Sequence, residues 1–330
     1  MACYHPLNAY RTSIISTDTG KRKIVFAKDN NLSDEYLASI GAEKLRIPCG
    51  QCLGCRLEYS RQWAVRCALE AKQWEHNYFV TLTYDDENVP YNIVKSADGS
   101  HNGVMTLVPR DLQLFLKRLR TYAKREFGAD NIRFFACGEY GPKNGRPHFH
   151  LILFNCPLPD LRLEKYANGY TYYCSAFLEK VWNKGFVLIT DFSFDCAAYV
   201  ARYMLKKHKG KDGDYYAKKG IVPEFTRSSR RPGIGRDYLD NNLPFVLKFD
   251  EVILPAGKGK PIKCKPPKYF DNTLEISYPE YMAYLKEKRK EMAIRGTQRQ
   301  LENTTLSEMD YLAVKENNKA LSIKNLERTL

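Results

Sequence analysis

Two of the six histidines in this 330-residue chain stand two residues apart in an apolar, strand-like run, Arg146-Pro147-His148-Phe149-His150-Leu151-Ile152-Leu153-Phe154. In a strand, side chains i and i+2 share a face, so His148 and His150 point one way while Phe149 enters the opposite layer. Two imidazoles on one face make half a metal site; the plainer alternative is a pair of hydrogen-bonded histidines at a sheet surface. Upstream, Asn131 to Glu139 reads as a second strand, and Gly141 to Arg146 between them is rich in turn residues. A two-residue hairpin turn at Asn144-Gly145 pairs Lys143 with Arg146 and sets Glu139 opposite His150. A longer loop with an even number of residues moves Glu139 opposite His148 and keeps it on the same face. Only an odd loop or a bulge turns the carboxylate away.

Two imidazole nitrogens and one carboxylate, with positions left open, suit a hard divalent cation or a catalytic transition metal. Such an ion can polarise a phosphate oxygen. Cupin oxygenases and amidohydrolases use the same ligand types, but a cupin would carry a Glu soon after the second His and a further His on a later strand. Residues 151 to 156 hold no carboxylate, and the only later histidine is His208. Beyond the pair, Phe194 to Lys209 lacks Gly and Pro and reads as an amphipathic helix. Tyr199 and Tyr203 lie one turn apart on it, with Cα atoms roughly 6 Å from each other and Arg202 and Lys206 nearby. They are either core tyrosines or a pair of nucleophiles; a phenol attacks phosphate poorly unless a metal and basic neighbours assist it.

Taken in order, Pro147-His148-Phe149-His150 followed by Tyr199-Val-Ala-Arg-Tyr203-Met-Leu-Lys206-Lys207 resembles the His-hydrophobic-His (HUH) endonucleases, specifically the two-tyrosine rolling-circle replication initiators of microviruses. Phe79 to Tyr84 resembles the first motif of that family, Glu139 occupies the place of its third metal ligand, and the Cys-x-x-Cys-x-x-Cys arm is most similar to the gokushovirus branch. The resemblance covers residues 78 to 209. It implies an enzyme that uses Mg2+ or Mn2+, held by His148, His150 and Glu139, to nick single-stranded or supercoiled viral origin DNA in the cytoplasm of a bacterial host. One of Tyr199 and Tyr203 becomes joined to the 5′ phosphate with help from Lys206. The freed 3′ hydroxyl primes synthesis by the host polymerase with a host helicase, and the second tyrosine cuts the regenerated origin so that the displaced strand is closed.

The order of elements gives the fold class, α+β. Strand 78–84, helix 109–122, the two hairpin strands, helix 174–183 and strand 185–191 follow the β-α-β-β-α-β plan of a ferredoxin-like, split βαβ domain with a central antiparallel sheet. In that plan the histidine strand lies beside Thr81 and Thr83 on one side and beside an edge strand ending at Glu139 on the other. Residues 1–76 then form a Cys-rich arm and helix, 77–210 the HUH domain, and 211–330 a basic loop region with a helical C-terminal extension. The insert from Asn92 to Val104 reads as a surface loop in which His101 is solvated.

Cys49, Cys52 and Cys55 follow C-x2-C-x2-C spacing, which lets consecutive thiolates reach one ion. A structural Zn2+ needs a fourth ligand; Cys3, Cys67 and His5 are candidates, and Cys3 is favoured because the extended N-terminus can fold back. The alternatives are an iron–sulfur cluster, which shares the spacing of the first three cysteines, and no metal at all. Cys137, Cys156, Cys174, Cys196 and Cys264 read as reduced core residues.

The formal charge of +14 is concentrated toward the C-terminal half, where residues 195 to 270 hold 17 Lys and Arg against 8 Asp and Glu. That balance favours a polyanion. Tyr215, Tyr216, Phe225, Arg227, Arg230, Arg231 and Arg236 mix rings with guanidinium groups in a way that suits single-stranded DNA, and Arg202, Lys207 and Lys209 add charge on the tyrosine helix. The Gly-Lys repeats near 256–261 lack a phosphate-loop pattern, so no ATP-driven helicase is encoded here. No apolar run is long enough for a membrane span. Two competing functions remain: a relaxase or transposase of the same superfamily, and a zinc-containing nucleic-acid-binding protein without chemistry.

Overall fold

The computed structural model describes residues 3–17, 20, 22–26, 32–95, 99–142, 144–167, 169–206, 214–254 and 261–324, without the side chains of 202–206 and 324. The chain divides into two compact units, one of Met1–Glu58 with Ala283–Leu330 and one of Tyr59–Met282. The expected divisions at residues 76 and 210 fall inside the second unit.

In the first unit, β1 (Leu7–Ile15), β2 (Arg22–Val25) and β3 (Glu43–Ile47) form an antiparallel sheet in the order β2-β1-β3, with α1 (Asp34–Ser39) between β2 and β3. The arm is therefore a small sheet rather than an extended segment. α2 (Leu53–Ala71) opens here.

The second unit is built on a seven-stranded sheet. Its strands are β4 (Asn77–Tyr84), β7 (Arg133–Tyr140), β8 (Pro147–Phe154), β9 (Arg162–Ala167), β10 (Tyr170–Cys174), β11 (Gly185–Asp191) and β12 (Phe225–Ser228). Between β4 and β7 the insert makes its own hairpin, β5 (Tyr91–Lys95) with β6 (His101–Met105), where a loop was expected. Val94 and Val104 give it enough strand-forming residues to pair across the Ser and Gly turn. His101 is exposed, as anticipated. The sheet order is β12-β7-β8-β4-β11-β10-β9, and every pairing is antiparallel. Its middle four strands, β7-β8-β4-β11, keep the order of the split βαβ plan, so the α+β class is borne out. β7 is not an edge, however, because β12 pairs along it from Phe225 opposite Gly138 to Ser228 opposite Phe135. A Cβ on Gly138 would meet the Phe225 ring at 2.8 Å, so the missing side chain is what admits that strand.

Two layers of helices cover the sheet. α3 (Pro109–Phe127) and α4 (Ala176–Trp182) pack Leu112, Phe115, Leu119, Leu178 and Trp182 against Phe149, Leu151 and Leu153 on one face. α3 begins with Pro109 at its first position and ends at Gly128 in the left-handed region, φ 66°. On the other face α2 and α5 (Phe194–Lys206) pack Ala64, Cys67, Cys196, Ala197, Val200 and Ala201 against Phe135, Cys137, Ile152 and Phe154. The alternation of β8 splits its residues between the layers, and His148 and His150 belong to the α5 face.

Further on come α6 (Tyr215–Lys219), α7 (Arg236–Asn241), α8 (Leu243–Phe249), β13 (Val252–Leu254), β14 (Ile262–Cys264), α9 (Lys268–Ser277), α10 (Pro279–Glu302) and α11 (Glu308–Lys324). The aromatic and basic stretch after residue 214 is thus largely helix and strand, not loop. In the first unit, α11 is tied to the arm: Glu316 meets His5 Nε2 at 2.5 Å and accepts from the Leu53 N–H at 3.2 Å, and Glu308 pairs with Arg46. No helix of the described residues is long and apolar enough to cross a membrane.

Candidate metal centre and its tyrosine helix

The β7–β8 hairpin is closed by a six-residue loop, with Tyr140 opposite Pro147, Glu139 opposite His148 and Cys137 opposite His150. The tight Asn144-Gly145 turn does not form. Pro142 has no N–H for the ladder, so the strands stop pairing at Tyr140 and the loop bonds within itself, Gly141 N–H to the Arg146 carbonyl at 2.9 Å and Gly145 N–H to the Gly141 carbonyl at 3.1 Å. Arg146 fastens the loop to β4 by donating to the Tyr84 carbonyl at 2.8 Å and pairing with Asp86. The even loop length is the register that keeps Glu139 on the histidine face.

There Glu139 Oε1 lies 2.5 Å from His148 Nε2 and 2.8 Å from His150 Nε2, with Glu139 and His150 buried and His148 partly so. The two rings are nearly perpendicular, 87° apart at a centroid distance of 4.8 Å. His148 Nδ1 sits 3.1 Å from the Arg146 carbonyl, which can only accept, so this nitrogen carries the proton. A neutral His148 therefore turns a bare Nε2 toward a carboxylate oxygen. Two lone pairs at that distance need a positive charge between or beside them, either a second proton or a metal cation. Glu139 Oε2 is buried without a hydrogen-bond partner among the described residues. Burial raises the Glu139 carboxyl, but bonds from His148 and His150 outweigh it and hold the group below the ordinary carboxylate range. One atom from each of the three residues lies within 4.8 Å of the others. A ligand set of two neutral imidazoles and an ionised carboxylate, one oxygen of it unbonded, fits a divalent cation.

Thr81 completes the arrangement. It is opposite His150 across β4 and β8, and its Oγ1 is 2.9 Å from His150 Nδ1, which leaves Nε2 for the ligand role. The sequence placed Thr81 beside this strand, yet its role is visible only once the register is known.

α5 brings the first tyrosine to this centre. Cys196, Ala197, Val200 and Ala201 turn into the core, which leaves the half-buried Tyr199 on the flank toward the histidines. Its ring meets that of His150 edge-on at a centroid distance of 5.4 Å, and Phe79 stacks on His150 from the other side at 5.3 Å. Ser60 Oγ donates to the Ala198 carbonyl at 3.3 Å and braces the helix from α2. Arg202, Tyr203 and Lys206 follow on the same helix; their side chains, with all of Lys207, His208 and Lys209, lie outside the described residues. Arg227 on β12 is exposed with its guanidinium 5.2 Å over Phe225, and Arg230 and Arg231 are exposed on the segment after that strand.

The second metal-type group is in the first unit. The sulfurs of Cys3, Cys49, Cys52 and Cys55 lie within 4.8 Å of one another. Backbone N–H groups point at them: Cys49 N to Cys3 Sγ, Cys52 N to Cys49 Sγ and Tyr4 N to Cys52 Sγ, each at 3.3 Å. Burial disfavours the Cys52 thiolate, but N–H groups of Cys55, Tyr4 and His5 together bring its pKa to about 6. Burial pushes the Cys3 and Cys55 thiols up. Four thiols wrapped in N–H donors fit a tetrahedral Zn2+. His5 is not part of the group because it is engaged by Glu316, and Cys67 is sealed in the core beside Phe135. Cys137, Cys156 and Cys196 are core residues as expected, whereas Cys174 and Cys264 are only half buried, since each sits on a strand at the rim.

Comparison with known proteins adds the family. The family model for the replication-associated protein ORF2 matches residues 77–208. The chain is 38% identical over 289 residues to the replication-associated protein ORF2 of Spiroplasma virus 4, covering 86% of this chain and 85% of that protein. It belongs to the family of phage replication-associated proteins. Two other members, the replication-associated protein VP4 of Bdellovibrio phage phiMH2K and the replication-associated protein ORF4 of Chlamydia phage 1, are 31% and 32% identical over 259 and 214 residues. These cover 75% and 63% of this chain, and 74% and 49% of the relatives. No solved structure matches the chain. The expected kinship with microvirus replication proteins is borne out, and the residues matched by the family model include both histidines, Glu139, Tyr199 and Tyr203.

Proposed function

We propose that this replication-associated protein initiates rolling-circle replication by nicking one strand of phage origin DNA through tyrosine transesterification, inside the bacterial host. The observation that carries the reading is the placing of Tyr199 edge-on to His150, beside a Glu139-His148-His150 group built for a cation. Mg2+ or Mn2+ held there would polarise the scissile phosphate and offset the charge that develops on it. The phenol oxygen of Tyr199 or Tyr203 bonds to phosphorus, the bond from phosphorus to the 3′ oxygen breaks, and that oxygen leaves as the primer hydroxyl with a proton. The 5′ phosphate stays on the tyrosine. Lys206 is assigned to charge stabilisation at the phenol, and Arg202, Lys207, Lys209, Arg227, Arg230 and Arg231 to the DNA backbone. Thr81 and the Arg146 carbonyl fix which ring nitrogen each imidazole presents.

On this reading residues 77–210 carry the chemistry, and the cysteine group of residues 3 to 55 holds Zn2+ for structure. The host helicase and polymerase act on the nicked product. The test is to incubate the protein with labelled single-stranded origin DNA and Mn2+ and to map the labelled tyrosine. A covalent adduct on Tyr199 or Tyr203 is expected, with none for the Tyr199→Phe, Tyr203→Phe double variant; full cleavage by that variant would refute the mechanism.

A further inference from the structure

At the opposite end of β7 from Glu139 lies a groove of about 640 Å3 that the chemistry above does not use. α3 supplies Arg120 and Lys124 on one wall, β7 begins with Arg133 at the floor, and the segment after β12 supplies Arg230 and Arg231 on the other wall. Asp130 is the one carboxylate among its lining residues. Lys124 is engaged by Asp130 at 3.0 Å and Arg133 by the buried Glu70, so neither is fully available. Arg120 uses only its Nε, on the Ile132 carbonyl at 3.2 Å, and its guanidinium lies 5.4 Å over the Phe134 ring. Arg230 and Arg231 are exposed, and among the described residues no carboxylate lies within ion-pair reach of them or of Arg120. Three guanidinium groups facing one open trough, on a chain of charge +14, make a phosphate cradle rather than a pocket for an apolar ligand.

Position narrows the ligand. Arg133 and Glu139 are six residues apart on one extended strand, roughly 20 Å at 3.3 Å per residue. That span corresponds to about six nucleotides at 3.4 Å per step. We infer that the groove between α3 and the segment after β12 is a second anchoring site for the sugar–phosphate backbone of the DNA, about six nucleotides from the point of nicking. This inference rests on the proposed DNA-nicking reading and extends it to Arg120 and to a defined register.

The experiment is fluorescence anisotropy of the full chain with a labelled 20-nucleotide single strand in EDTA, so that binding is read without cleavage, repeated over a series of salt concentrations. Arg230→Gln with Arg231→Gln should weaken binding roughly tenfold and reduce the slope of log K against log salt by about 1.4, or 0.7 for each lost phosphate contact. Arg120→Gln, on the other wall, should reduce the slope by about 0.7. The charge-matched control is Lys165→Gln with Lys180→Gln, at the β9 side of the sheet and on α4, and it should change affinity less than twofold. Equal losses from the groove pair and the control, or an unchanged slope, would overturn the groove as an anchor. Because nicking is assayed separately with Mn2+, a wild-type protein that binds with the predicted salt response and yet cuts nothing would count against the nuclease reading and leave the groove standing.

Discussion

Glu70 is fully buried on α2 and gathers three donors from three parts of the second unit. Its Oε1 receives Arg133 Nε and Trp74 Nε1, the latter at 3.1 Å, and its Oε2 receives the Gly235 N–H at 2.6 Å. Arg133, 2% exposed, also donates to the Pro232 carbonyl at 2.9 Å. The ion pair therefore joins α2, the start of β7 and the 232–235 segment at the floor of the basic groove. Glu70→Leu leaves a guanidinium buried without its counter-charge, which costs about 3–5 kcal/mol, and strands the Gly235 and Trp74 donors within that same loss. For a unit of this size 1 kcal/mol moves the melting temperature by roughly 2–4 °C, so the variant should melt about 6–20 °C lower. The double variant Glu70→Leu, Arg133→Met removes both charges together and should recover at least half of the loss, because a buried pair replaced by packed hydrocarbon is close to neutral. The assay is thermal unfolding by circular dichroism, supported by urea midpoints. A Glu70→Leu protein within about 1 kcal/mol of wild type, or a double variant no better than the single, would refute the view that desolvated charge is what this network controls.

Thr81→Val removes the hydroxyl at His150 Nδ1 while keeping shape, and titration calorimetry with Mn2+ should show affinity falling roughly 10- to 100-fold. An unchanged affinity would remove Thr81 from the centre. Cys3→Ser should lower the Zn2+ content of purified protein well below one per chain, whereas Cys67→Ser should leave it at one; elemental analysis separates the two candidates for the fourth ligand. Glu139 has a folded pKa below its unfolded value of about 4.3, so its contribution to stability is present above that pH and is lost as pH falls through the lower folded value. Melting curves in EDTA between pH 6 and pH 3 should therefore fall more steeply for wild type than for Glu139→Gln, and parallel curves would contradict that sign.

Much of the site was legible in the residues because it depends on short spacings. The i, i+2 histidines and the i, i+4 tyrosines share faces by the period of strand and helix alone, and the hairpin keeps Glu139 with the histidines for any even loop. The three close cysteines likewise declared themselves. Less legible was anything set by pairing across long separations. The hydrogen-bond capacity of Pro142 lengthened the loop and moved Glu139 from opposite His150 to opposite His148. Gly138 offered no sequence signal that Phe225 would pack on it and that a further strand would cover β7. The hairpin at Tyr91–Met105 was hidden by its polar residues, which pair through the backbone rather than by burial.

By itself the sequence determined the α+β class, the order of elements, the ligand types at both metal-type groups and the helix that carries the tyrosines, since each follows from local periodicity and residue chemistry. Only the tertiary structure decided that α5 lies on the histidine face of the sheet with Tyr199 against His150, and that Cys3 rather than Cys67 or His5 completes the thiol group. It also brought Arg120 and Arg231, more than a hundred residues apart, to one groove. The physical reason is that helix docking and side-chain convergence are settled by which apolar faces bury against each other, here Ala197, Val200 and Ala201 on Phe135, Ile152 and Phe154, and that choice is written in no single segment.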